Sequence, residues 1–169
     1  VVSHERDRVT ASIDVIAGVL GSVADAPGMM NPVTFAQRMY DAGAKGSFDA
    51  LSFHPYHYSL PFSSGPFQAN SPVEQVMSLR TMMIAMGDGA KRIWASEYGE
   101  PTSAVDEATQ DSMITDFLIK WQEMPYTGPI YVHSLRDRLT GSADPEDTFG
   151  LFRSDWTPKP AQGAVAALT

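Results

Sequence analysis

Arg92-Ile93-Trp94-Ala95-Ser96-Glu97-Tyr98-Gly99-Glu100-Pro101 is the stretch on which the reading of this chain turns. Arg92 to Ser96 predicts a strand, and Tyr98-Gly99-Glu100-Pro101 carries the glycine and proline that end one. Glu97 therefore stands where a hydrophobic strand gives out into a turn. A lone glutamate at a strand end is ordinarily a solvated surface group, so its meaning depends on what flanks it.

Working upstream, Phe48-Asp49-Ala50-Leu51-Ser52-Phe53 predicts a second strand that runs into His54-Pro55-Tyr56-His57-Tyr58. A Ser/Pro/Gly loop follows as far as Asn70. Ser71-Pro72-Val73-Glu74 is a capping box with proline in the first turn, and Val76, Leu79, Met83 and Met86 carry a helix on to Gly87-Asp88-Gly89. Earlier still, Asp14 to Leu20 is a run rich in β-branched residues that suits a strand buried on both faces. Asn31 as N-cap and Pro32 at the first position open the next helix, with Phe35 and Met39 on one face and Gly43 as the stop.

Downstream, Met113, Phe117 and Trp121 mark one stripe of a helix over roughly Asp106 to Glu123. Gly128-Pro129 starts a fourth strand, Ile130 to Leu135, followed by the charged loop Arg136-Asp137-Arg138. A final helix is expected from Pro160 to Leu168. Strands ending near Leu20, His54, Glu97 and Leu135 leave room between them for crossover helices, which predicts an α/β fold with a parallel sheet. Residues 1–169 read as a single domain. In such sheets ligands bind at the carboxyl ends of the strands. His54 and Tyr56, Glu97 and Tyr98, and His133, Arg136 and Asp137 all sit at those exits, as if around one cleft.

Composition removes several classes of function. A net charge of -8, with Lys and Arg scattered, is a poor match for a phosphate backbone, so no nucleic acid is expected. No apolar run approaches the roughly 20 residues of a membrane span. The sequence has no cysteine, which excludes disulfides, thiolate metal sites and cysteine nucleophiles. It opens Val1-Val2-Ser3 without Met or a leader, and the expectation is that processing or truncation has removed what came before.

Four segments in order, Phe48 to Tyr56, Ile93 to Gly99, Ile130 to Asp137, and Phe149-Gly150-Leu151-Phe152 with Thr157-Pro158-Lys159-Pro160-Ala161, resemble clan A glycoside hydrolases. The nearest look is of family 39 and the family 5 cellulase-like enzymes. The resemblance covers the chain from about Asp14 to its end. It implies the C-terminal half of an eight-stranded (β/α) barrel, about four βα units, with the strand from Asp14 as the fifth and that ending at Leu135 as the eighth. It makes Glu97 the nucleophile of a retaining hydrolase acting on a β-linked glycan, an oligo- or polysaccharide, without a cofactor. Retention needs a second carboxyl group roughly 5 to 5.5 Å away. The clan takes that acid from an Asn-Glu pair closing the fourth strand, and here Asn31 precedes Pro32 while Asn70 precedes Ser71. The expectation is thus a fragment lacking its acid/base.

The resemblance sets His54 and Tyr56 beside the nucleophile, and the chemistry of the other residues suggests their roles. His54, Tyr56 and His133 are expected to contact substrate, and Tyr98 to touch the Glu97 carboxylate. Tyr56, Tyr58, Tyr98 and Trp156 are candidates for stacking on sugar rings, whereas Trp94 and Trp121 read as core. Arg136 and Asp137 either pair and shape the cleft floor or form a surface ion pair of little energetic consequence. Glu100 is expected to face solvent or cap a helix. His54 and His133 lack a third ligand, so no metal site is expected. His57 and His4 read as loop residues. Two other readings stand beside the hydrolase. One is a non-catalytic half barrel that binds carbohydrate or another chain. The other is a doubly wound, flavodoxin-like domain, for which no glycine-rich phosphate loop argues. Raw sheet edges predict self-association or pairing with a separate N-terminal half. An extracellular or cell-envelope location follows from the resemblance alone.

Overall fold

Four strands, β1 (Ile16–Gly21), β2 (Ala50–His54), β3 (Arg92–Tyr98) and β4 (Thr127–Val132), form one sheet in chain order, and each neighbouring pair is parallel. The computed structural model describes residues 13–168; His4 lies outside them. A helix follows every strand: α1 (Pro32–Asp41), α2 (Pro72–Ala85), α3 (Glu107–Glu123) and α4 (Pro160–Leu168). Strand order never reverses, so right-handed crossovers put all the helices on one face. A doubly wound sheet needs a reversal. The result is a half barrel of four βα units.

The first two helices start where the sequence places their caps, and α3 adds one that it does not single out. Asn31 accepts from the Val33 amide at 2.8 Å, with Pro32 at the first position of α1. Ser71 accepts from Glu74 N at 3.3 Å, and the Glu74 carboxylate reaches back to the Asn70 amide at 3.1 Å. Asp106 caps α3 through the Thr109 amide at 2.7 Å. Each cap answers an amide that the first helical turn leaves unpaired.

Leu51 and Phe53 of β2 and Ile93 and Ala95 of β3 point to the helical side, where they join Leu79 and Met83 of α2 and Phe117 and Trp121 of α3 in one buried cluster. Met113, Phe117 and Trp121 all bury, as their four-residue spacing predicts. In α1 the buried face is Pro32, Ala36 and Tyr40; Phe35 is exposed, which corrects the expected Phe35 and Met39 face. The Tyr40 hydroxyl fixes that choice by donating to Asp88 at 2.9 Å.

The opposite face of the sheet is open. Ile16, Val19, Ser52, Trp94, Ser96 and Tyr131 line a hollow of about 280 Å³ there. Trp94, read as core, lies on this face and stacks on Tyr131 at 6.4 Å, with Gly128 flush against its indole. β1 is an edge strand with Gly18, Val19 and Gly21 exposed, rather than buried on both faces. β4 begins three residues earlier than predicted. Thr127 pairs with Ile93, and its hydroxyl donates to Met124 O at 2.7 Å; Pro129 is tolerated because the strand lies at the other edge. Among the described residues no helix is long and apolar enough to cross a membrane.

Candidate active site

The site is built by an irregularity in β3. Ala95 pairs with Ile130 and Tyr98 with Val132, so three steps on β3 answer two on β4. Strict alternation would send position 97 to the helical side with Ile93 and Ala95. The extra residue lets Tyr98 take that side instead, 1% exposed and stacked on Phe117 at 3.8 Å. Glu97 is released toward the strand exits, its side chain 39% exposed.

There the Tyr56 hydroxyl donates to Glu97 Oε1 at 2.6 Å, and His54 Nδ1 stands 4.0 Å from Oε2. The other imidazole nitrogen of His54 is 2.9 Å from Ser96 Oγ, which in turn contacts Ser52 Oγ. Burial lowers the His54 pKa; Glu97 opposes the shift and His133 reinforces it. A histidine moved down from about 6.5 is neutral at pH 7, so the His54–Glu97 contact is not an ion pair there. Burial first, then the bond to Glu97, raise the Tyr56 pKa, which keeps its hydroxyl a donor.

Phe149 closes one side. Its ring lies 6.1 Å from Tyr56, 6.4 Å from Tyr58 and 4.9 Å from His133. Gly99 makes this approach possible, because a Cβ there would come within 1.9 Å of His133 O. The His133 amide donates to Tyr98 O at 2.7 Å, which ties the β4 exit to the β3 exit.

The fold thus brings His54, Tyr56 and Glu97 into contact, with His133 across Phe149. Other expectations need correction. Tyr98 does not bond to Glu97; its hydroxyl faces Glu100 Oε1 at 3.4 Å and Met113 O at 3.5 Å, because successive strand residues project to opposite sides. Asp137 pairs with Lys159 rather than Arg136, at 2.8 Å, and both side chains are fully buried. It therefore braces the loop after β4, accepting also from the Gly150 amide at 2.8 Å, and offers no surface to a ligand. Arg136 instead lies over the Trp156 ring at 4.8 Å and donates to Ser154 O. Trp156 is 56% exposed, with φ of 69°. Glu100, expected at the surface, has no exposed area. Ser52, Ser96 and Phe149 were not singled out as site residues; the parity of Ser52 and Ser96 with His54 along their strands was the available signal.

Among the described residues no group of three or more His, Asp or Glu side chains is placed to hold a metal ion. The arrangement presents an accessible carboxylate at the strand exits, fixed by a tyrosine and flanked by a neutral imidazole. Such a group can attack an electron-poor carbon or stabilise positive charge developing on one.

No protein-family model matches the chain, and no curated protein does. Solved structures match its fold. A family 39 glycoside hydrolase from the gut symbiont Bacteroides cellulosilyticus WH2 superposes with a TM-score of 0.64 at 20% identity, over 79% of this chain and 29% of that one. A glucosidase from Croceicoccus marinus gives 0.66 at 16% identity, over 98% of this chain and 33% of that one. A GH5_18 structure from Bifidobacterium longum subsp. infantis gives 0.53 at 18%, over 72% and 30%. At these identities the shared property is the fold. The chain spans about a third or less of each structure's length.

Proposed function

We propose that this chain carries the nucleophile side of a retaining glycoside hydrolase site, with Glu97 as the attacking carboxylate and an oligo- or polysaccharide as substrate. The reading rests on one observation: Glu97 leaves the carboxyl end of a parallel strand, partly exposed, with Oε1 held by Tyr56 and Oε2 facing His54. The likeness in fold to glycoside hydrolase structures supports it.

In the proposed reaction Glu97 attacks the anomeric carbon, the bond to the leaving oxygen breaks, and a glycosyl ester forms that water later cleaves. A second carboxylic acid protonates the leaving oxygen and then activates that water. Its source is the part of the fold this chain does not span. The Tyr56 hydrogen bond holds the carboxylate so that one oxygen stays free to attack. His54, His133 and Tyr58 offer contacts to sugar hydroxyls and ring faces, and Arg136 with Trp156 a more distant one.

Chemical rescue tests the reading. Glu97→Ala should abolish hydrolysis of an activated aryl β-glycoside, whose leaving group needs no protonation. Added azide should restore turnover by occupying the vacated space, giving the α-glycosyl azide. Retention of activity by the variant, or a β-azide product, would rule out Glu97 as nucleophile.

A further inference from the structure

Glu100 lies three residues beyond Glu97 and is wholly buried. Its Oε2 has no hydrogen-bond partner, and neither does the buried Oε1 of Gln110. The two residues are already tied, since Gln110 Nε2 donates to the Glu100 carbonyl at 2.8 Å. A buried carboxylate oxygen without a donor is disfavoured as an anion, and a proton on Glu100 removes the charge that would otherwise stand there unanswered. Burial pushes this carboxyl up to about 8, opposed by the Tyr98 hydroxyl, so it is mostly neutral at pH 7.

The other oxygen, Oε1, faces that hydroxyl at 3.4 Å. The Tyr98 ring stacks at 6.0 Å on Tyr56, whose own hydroxyl grips Glu97. A continuous set of contacts therefore runs from Glu100 to the carboxylate. We propose that Glu100 is a positioning residue: as a neutral acid beneath the loop it keeps Tyr98 under Tyr56, and so keeps the Tyr56 hydroxyl on Glu97. The functional meaning rests on the reading of Glu97 as nucleophile; the structural coupling does not.

The groups facing Glu100 and Tyr98 do not neutralise a charge. Tyr98 ends β3 two residues before Glu100, Tyr58 lies in the loop after β2, and Asp116 of α3 acts on Tyr98; Glu146 and Glu97 act on Tyr58. None is a cation. An ionised Glu100 would seek water, and the loop would have to open to provide it.

The sign of the pH effect follows. A carboxyl raised from 4.5 to about 8 stays protonated in the folded chain and is ionised in the unfolded one between those values. Its stabilisation is complete below about 4.5 and is lost as pH rises through about 8.

Carbon-13 NMR of the full chain, labelled at glutamate carboxyls, tests both halves. One resonance, absent in Glu100→Gln, should titrate near pH 8. The Glu97 resonance, identified by its loss in Glu97→Gln, should move at that same pH, and this movement should vanish in Glu100→Gln. A Glu100 midpoint in the ordinary carboxylate range, or a Glu97 resonance blind to Glu100 ionisation, overturns the proposal. Should Glu100→Gln fail to fold, the two resonances of the unmodified chain, assigned through their backbones, still decide. A failed azide rescue would sink the hydrolase and leave these titrations standing.

Discussion

Glu97 is held by a single short hydrogen bond, from the hydroxyl of a half-buried tyrosine whose ring packs against Tyr58, Tyr98 and Phe149. Hydrogen bonds to charged groups are worth about 1.5–3 kcal/mol, roughly 10- to 100-fold in rate if the bond persists in the transition state. Tyr56→Phe should therefore slow formation of the glycosyl ester by about that factor, measured as the rate of release of an activated aryl leaving group. An unchanged rate would show that Tyr56 only fills space. At this scale the sequence places Glu97 at a strand exit, because a carboxylate beside a Gly/Pro turn is a local pattern, while its proposed role comes from the resemblance. The sequence hides the partner of Asp137. Lys159 is 22 residues away, and only the folded loop shows that the two meet in the interior while Arg136 turns outward to Trp156.

Strands and loops set how tightly the site is drawn together. Gly99→Ala drives a methyl group into the His133 carbonyl, so it should destabilise the chain by at least the roughly 1–3 kcal/mol of overpacking, read by urea unfolding. The buried Lys159–Asp137 pair makes a sharper case. Lys159→Met strips the counter-charge from a carboxylate with no exposure and should cost about 3–5 kcal/mol. Asp137→Asn combined with Lys159→Met should cost less than Lys159→Met alone, since no lone charge remains and the amide oxygen still accepts from Gly150 N. A larger loss in the double variant would contradict this. Two helix starts were legible down to their caps, because Asn31 and Ser71 act on amides two or three residues away. The bulge in β3 was not. It depends on how Val132 of β4 pairs across, and it is what sends Tyr98 inward and frees Glu97.

Across the whole molecule, the strand exits could be ordered from the sequence, since four strands separated by helices permit few parallel arrangements. The open face follows from the half-barrel reading, but its occupants do not: Trp94 looks like core until the sheet places it beside Tyr131 on the uncovered side. Val19 and Tyr131 on that face are each more than half exposed. With this chain alone in solution, we expect the face to draw in a second copy. Light scattering across a concentration series should then show a rising mass, and a monomer at every concentration would contradict this. The central claim, that Glu97 forms a bond to sugar, is tested most directly by mass spectrometry of the full chain. The chain is exposed to an activated 2-deoxy-2-fluoro-β-glycoside, whose fluorine slows hydrolysis of the ester. The account predicts one added fluoroglycosyl group on the peptide containing Glu97 and none in Glu97→Gln; an adduct elsewhere, or no adduct in the unmodified chain, would contradict it.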